Sequence, residues 1–556
     1  MYCPIVSPRV AALAVLLFKV VTTQSSSNSS NSLPILDFGY ALHRAADFNE
    51  TGGYYNFSNI RFAAPPLGNL RFRVPVPPAV DRSVVQDGLE SRMCPQNYPP
   101  WMATIGWVPG YLQSGAVPNT TVEAGPSTNS SSVQPRDPSQ NEDCLFLDVM
   151  APQEIFEKAG RGYGAPVLVW IYGGGYAVGS KTSGYDPRSI LNRSQTNSSE
   201  GVIFVALNYR LGAFGFLAGP SLQGNGTANA GLYDQRMALE WVQEHIHLFG
   251  GDKNRVTVMG ESAGGGSIAH QLTAYGGRGP LPFQQAIIQS PGWTPNFLRS
   301  ANVNSLEEAR NLPTDQLMDA NDRQIFASPY GSYVFGPSVD GDFVTQDPKL
   351  ALSQSQFDPS VRVMIGQNSN EGLLFTAPIS SDTEYLDFVR NNFPSAREGV
   401  IDHIANVLYP PVFDGSMGYR DQVGRAALTM GEGTFVCNAF ALNRAYNNHS
   451  SYLFDVFPGL HAQDVEYTFY NPDVVYQGLP VLTMWGDNQT VAYVMHNYFT
   501  SFAMTGTPES QEDGLSAVAT YDSNFTLTIL STEGISTGTD PAVNERCAWW
   551  QTALIL

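Results

Sequence analysis

Ser262 sits in Gly260-Glu261-Ser262-Ala263-Gly264, with two more glycines directly after it. A serine hydroxyl is a weak nucleophile until a neighbouring base takes its proton, and its attack on a carbonyl creates an oxyanion that needs hydrogen-bond donors. Glycines supply such donors without side chains in the way. A run of three, Gly173-Gly174-Gly175, lies upstream in WIYGGGYAVGS. Glycine loses the most backbone entropy on folding, so crowding it against a core strand needs a reason. A tight turn that presents a serine, beside open amides that meet an oxyanion, is such a reason. The chemistry implied is acyl transfer.

Elements of defined type must hold these residues. VTVM before the serine motif reads as a strand and SIAHQLTA after it as a helix. Strand, Gly-x-Ser-x-Gly and helix make up the nucleophile elbow of the α/β-hydrolase fold, where flanking side chains would collide. VLVWIY runs as a strand straight into the glycine triplet. Further apolar, β-branched runs are CLFLDVM, VIFVALNY, AIIQS, VRVMIG and SYLFDVF, suited to strands covered on both faces. Helical spacing is clearest in DQRMALEWVQEHI from Asp234, with Met237, Ala238, Trp241, Val242 and His245 on one face. The alternation predicts an α/β fold with a large, mostly parallel sheet flanked by helices. Residues 295–358 and 380–446 read as helical cap insertions, and the Ser/Asn/Pro-rich stretch 110–140 reads as a loop.

Five segments resemble the type-B carboxylesterase/lipase family: EDCLFLDV, WIYGGGYAVG, NYRLGAFGFLA, NAGLYDQRMALEWVQEHI and GESAGGGS. That family includes cholinesterases and large secreted fungal lipases. IRFAAPPLGNLRF near residue 60 and CAWW at Cys547 extend the likeness over nearly the whole chain after its leader. The resemblance implies a serine ester hydrolase with Ser262 as nucleophile and the amides of Gly174, Gly175 and Ala263 as oxyanion hole. GQNSNEGLLF resembles the acid segment, which implies Glu371. GLHAQDVEYTFY resembles the histidine segment, which implies His461, with Ala462 where many relatives carry glycine. Among the eight histidines, His461 alone follows a core strand late in the chain. Glu261 resembles a family residue near the site, and Arg71 with Glu142 and Arg210 with Asp234 resemble its structural ion pairs. The resemblance also implies disulfides Cys94–Cys144 and Cys437–Cys547. Parity of the four cysteines leaves three pairings open.

The loop that Cys94–Cys144 would close is expected to be a flap, with Trp101 and Trp107 lining the entrance for an ester chain. No histidine or cysteine spacing suggests a metal, and no cofactor is expected. A formal charge of −20 argues against nucleic acid. Residues 1–23 have the shape of a secretory signal peptide, leaving residues 24–556 as a single domain. Sequons stand at Asn28, Asn49, Asn56, Asn119, Asn129, Asn192, Asn197, Asn225, Asn448, Asn488 and Asn524. These features predict a secreted, extracellular protein, free or at the cell wall, without a transmembrane anchor. The expected partner is a small-molecule ester of moderately large, apolar character. A lipase making transient contact with lipid surfaces, a tailoring esterase for one secondary metabolite and a non-catalytic adhesion module are the alternatives.

Overall fold

The structure, a computed structural model, describes residues 33–118, 136–196, 199, 201–219, 222, 224–293, 306–474, 480–483, 485–486, 488–510 and 516–552. A 12-stranded sheet forms its centre. From one edge the spatial order is Gly534–Thr539, Thr526–Ser531, His449–Phe454, Arg362–Asn368, Gln285–Gln289, Gly251–Glu261, Ala165–Ile171, Ile203–Leu207, Phe146–Pro152, Tyr54–Arg61 and Asp47–Asn49. The short strand Thr520–Tyr521 pairs antiparallel with His449–Phe454. The run from Thr526–Ser531 to Ile203–Leu207 is parallel throughout, and antiparallel pairs occupy both margins. All seven apolar runs noted in the sequence are strands of this sheet. Their burial on both faces is why they read as continuous rather than alternating.

The helix starting near Asp234 spans Ala230–His245, and Ala263–Leu272 follows the serine. Two large hydrophobic clusters result. One packs the sheet against these helices. The other lies in the cap, built mainly from helices between Asp382 and Ala445, and it takes in Trp550 from the last helix, Glu545–Thr552. Cys437–Cys547 joins that last helix to the cap, closing a separation of 110 residues. Cys94–Cys144 closes a separation of 50 at the base of the predicted flap. Beside it Arg71 Nε donates to Glu142 Oε2 at 2.7 Å, and Arg210 Nε donates to Asp234 Oδ2 at 2.7 Å.

The stretch 110–140, expected as loop, differs at its start, where the α-helix Val108–Ser114 runs in before ending at left-handed Gly115; the 3-10 helix Pro100–Trp107 precedes it. Apolar contact with the cap orders a segment whose own composition has no helical period. Asn28, Asn119, Asn129 and Asn197 fall outside the described residues. Asn192, Asn225, Asn448 and Asn524 are exposed, while Asn49, Asn56 and Asn488 are half-buried. No described helix is long and apolar enough to cross a membrane, and no cluster of potential metal ligands occurs among the described residues.

Candidate active site

The strand Gly251–Glu261 delivers Ser262 at its carboxyl end with φ 55° and ψ −121°, a conformation that non-glycine residues rarely adopt. Three backbone bonds hold the turn. Ser262 N donates to Gln289 O at 3.1 Å, and Ser262 O accepts from Gly266 N and Gly292 N at 2.8 Å each. The flanking glycines are required by close approach. A Cβ at Gly264 would lie 2.0 Å from Ile171 O, and one at Gly260 would lie 2.8 Å from Gly264 C. Gly174 (φ 102°) and Gly175 (φ 60°) turn the chain after Ala165–Ile171. Ala263 is the first residue of its helix, so its N–H has no intrahelical acceptor. Gly174 and Gly175 follow the strand Ala165–Ile171, and Ser262 and Ala263 follow its parallel neighbour Gly251–Glu261.

Glu371 follows strand Arg362–Asn368 and His461 follows strand His449–Phe454. Glu371 Oε2 accepts from His461 Nδ1 at 2.6 Å, and Ser262 Oγ lies 2.8 Å from His461 Nε2. With the Nδ1 proton held by the carboxylate, Nε2 is the acceptor that faces the serine hydroxyl. The second carboxylate oxygen, Oε1, accepts from Ser290 Oγ and Asn368 N, both at 2.6 Å. Glu371 and His461 are both buried.

Acidic groups crowd the imidazole. Glu261 Oε1 is 3.2 Å from His461 Nε2. Burial pushes the Glu261 carboxyl up to about 8, against the pull of His461. For His461 burial acts downward, but Glu261, Glu371 and Asp464 outweigh it and raise the imidazole above its ordinary value. Both shifts favour keeping a proton at this end of the site. Asp464 is pushed up to about 6 by burial and by Glu371, and its oxygens accept from Asn368 Nδ2 and Gln289 Nε2. Ser290, Asn368, Asp464 and Gln289 escaped the sequence reading. Ser290 does close the quoted run AIIQS, and its φ of 42° marks it as a strained strand end, which is invisible without coordinates.

A cavity of about 100 Å³ opens beside Ser262, Ala263 and Gly175. Tyr176, Tyr333, Phe335, Phe375 and Phe435, with Met430, give it an apolar and largely aromatic wall. Phe435 lies 4.0 Å from the His461 ring and Phe375 5.1 Å from it, centroid to centroid. Trp101 and Trp107, expected to line the entrance, are not among the lining residues. Trp101 is 6% exposed and donates from Nε1 to Ser332 O at 3.0 Å. Its ring stands 5.6 Å from Tyr333 and 5.8 Å from Phe375. Trp107, half-buried, donates to Tyr330 Oη at 3.1 Å. The loop's apolar side chains pack into the cap's hydrophobic cluster instead of facing the cavity. They back its wall.

Residues 43–550 match the model of the carboxylesterase family. The chain belongs to that family. This carboxylesterase is 40% identical to "Carboxylesterase patB" of Penicillium expansum, with 93% of this chain and 96% of that protein covered. The same identity holds with "Carboxylesterase patB" of Aspergillus clavatus, over 95% and 97%. A "Secreted lipase" of Arthroderma benhamiae is 31% identical over 67% of this chain and 73% of that one. Among solved structures it superposes on Aspergillus niger EstA with a TM-score of 0.75 at 26% identity, covering 94% of this carboxylesterase and 99% of EstA. It is a carboxylic ester hydrolase with an α/β-hydrolase fold.

Proposed function

We propose that this carboxylesterase cleaves compact carboxylic esters through an acyl-enzyme, with Ser262, His461 and Glu371 as its triad. The observation that carries the assignment is the continuous chain Ser262 Oγ, His461 Nε2, His461 Nδ1, Glu371 Oε2, with contacts of 2.8 and 2.6 Å. His461 takes the hydroxyl proton as Ser262 Oγ bonds to the ester carbonyl carbon. The amides of Gly174, Gly175 and Ala263 hold the resulting oxyanion. As the C–O bond to the alcohol breaks, His461 returns the proton to that oxygen. Water then attacks the acyl-serine with His461 again as base, and the acid leaves. Glu371 fixes the imidazole tautomer and stabilises its cationic form.

The cavity bears on the size of the substrate. Its volume is several times the roughly 10–15 Å³ that one water needs. That supports an ester smaller than the moderately large one suggested by sequence, and an esterase over a lipase of long chains. Residues 24–556 act as one unit after removal of residues 1–23, and the protein is secreted, in keeping with its two disulfides. The test is a chain-length series of p-nitrophenyl esters beside an emulsified triglyceride. Turnover should be greatest for short acyl groups and minimal on the emulsion. A maximum at long chains, activated by the interface, would favour a lipase instead.

A further inference from the structure

Glu371 and His461 reach their shared hydrogen bond from two neighbouring strands, and one residue holds both approaches. Asn368 ends strand Arg362–Asn368 and is paired with Phe454, which ends strand His449–Phe454. The acid follows the first strand after a tight turn, and the base follows the second after a longer one. Beyond the last pair the two segments stay joined. Ser369 N donates to Phe454 O at 3.0 Å, and Asn370 N donates to Gly459 O at 2.8 Å. They lie so close that a Cβ at Gly459 would stand 2.1 Å from Ser369 Oγ. The Asn368 backbone N–H donates to Glu371 Oε1 at 2.6 Å. Its side-chain Nδ2 donates to Leu460 O at 2.9 Å and to Asp464 Oδ1 at 3.1 Å. Leu460 directly precedes His461, and Asp464 lies in the helix Gln463–Thr468 just after it.

Both protons of the Asn368 amide are spent, and turning the group over would set its oxygen against two acceptors. Between the two anchors Ala462 has a φ of 65°, a backbone state that persists only where its surroundings hold it. Asn368, Leu460, His461, Asp464 and Glu371 are all buried, so water does not compete for these bonds. The imidazole works only while Nδ1 meets the carboxylate and Nε2 faces the serine, and small displacements of such groups are expensive. We infer that Asn368 is a positioning residue for the triad, its main chain setting the Glu371 carboxylate and its side chain setting the segment that carries His461. The 2.6 Å contact between Nδ1 and Oε2 is thereby governed from one side chain that is not among the residues lining the cavity. The inference rests on the acyl-enzyme reading and adds a residue to its machinery.

Two variants of the full chain test it. Asn368→Ala removes the side-chain tie and leaves the backbone bond to Glu371, while Asn368→Asp keeps the shape and removes the amide donors. Either suffices where the other does not fold. On p-nitrophenyl acetate and ethyl acetate, kcat should fall by about 10- to 100-fold, the order of loss that a small misplacement causes. KM should rise by no more than about threefold, since the cavity wall is untouched. Asn443→Ala is the control. It deletes a buried amide that bonds Ser451 and His449 toward the start of strand His449–Phe454. Its kcat should stay within about threefold of the parent even where Tm falls. Folded Asn368 variants with kcat within about threefold of the parent overturn the inference alone, as does a loss confined to KM or an equal loss in Asn443→Ala. Turnover retained by Ser262→Ala overturns the acyl-enzyme reading, and the inference with it.

Discussion

The sheet side and the cap side of the site are built on different rules. Ser262, Glu371 and His461 each follow a parallel strand of the main sheet; backbone hydrogen bonds fix the turn that bears Ser262, and the Asn368 amide holds the Glu371 carboxylate. The cap contributes no reacting atom in this reading. It supplies Phe375, Met430 and Phe435, held by side-chain packing in a hydrophobic cluster of its own. Main-chain geometry sets what reaction is done, and side-chain packing sets what is admitted. Substitutions on the two sides should therefore fail differently.

The largest effect expected is on the sheet side. Ser262→Ala should lower kcat by several orders of magnitude with no loss of thermal stability, since one oxygen leaves an existing turn. Near-normal turnover in protein free of host esterases would break the comparison at its root. Glu371→Gln comes next, with a loss of about 10⁴-fold or somewhat less as the imidazole loses its fixed tautomer. If Asp464→Asn is the damaging change and Glu371→Gln is tolerated, the acid is misassigned.

On the cap side Trp101→Ala should act mainly on stability, costing about 3–5 kcal/mol as a buried indole is lost. Its kcat on a short ester should fall far less than in the triad variants. Calorimetry and steady-state kinetics on the same preparation decide this, and a stable variant with collapsed turnover would tie the cap into the chemistry. A smaller effect is on pH. His461 must be neutral to accept the serine proton, and its raised value moves the acid limb of kcat/KM above the ordinary imidazole midpoint of about 6.5. Activity should therefore rise with pH through that higher midpoint, and Glu261→Gln should move the limb down. Superimposable profiles would remove Glu261 from the account. The smallest effect belongs to Ala462, whose φ is 65°. Ala462→Gly should raise stability by about 1 kcal/mol or less, because the left-handed conformation costs an L-residue roughly 1–2 kcal/mol, part of it offset by the entropy of glycine.

The same division explains what could be read in advance. Gly260 and Gly264 mark a contact that excludes any Cβ, so the elbow announces itself in five residues. Six of the seven parallel strands were legible because burial on both faces leaves runs such as VLVWIY wholly apolar, whereas the Thr-rich Thr526–Ser531 gave no such run. Glu371 and His461 became visible through family likeness more than through local physics, since nothing in GQNSNEG by itself distinguishes its acid. Trp101 shows where reading stops. WMATIGWVPGYL is apolar without a period, which is equally compatible with a flap facing substrate and a segment docked on a cap. Only the position of Tyr333 and Phe375, more than two hundred residues away in sequence, decides between them.

The backbone at Ser262 has a consequence for how this protein can change over generations. A side chain at φ 55°, ψ −121° carries a conformational penalty on the order of 1–3 kcal/mol, and glycine would escape most of it. Ser262→Gly should thus be a more robust fold and an inert one. Any lineage released from the need to cleave esters finds a stabilising step at the very codon its chemistry depends on. A serine still standing at that turn is a mark of continued use.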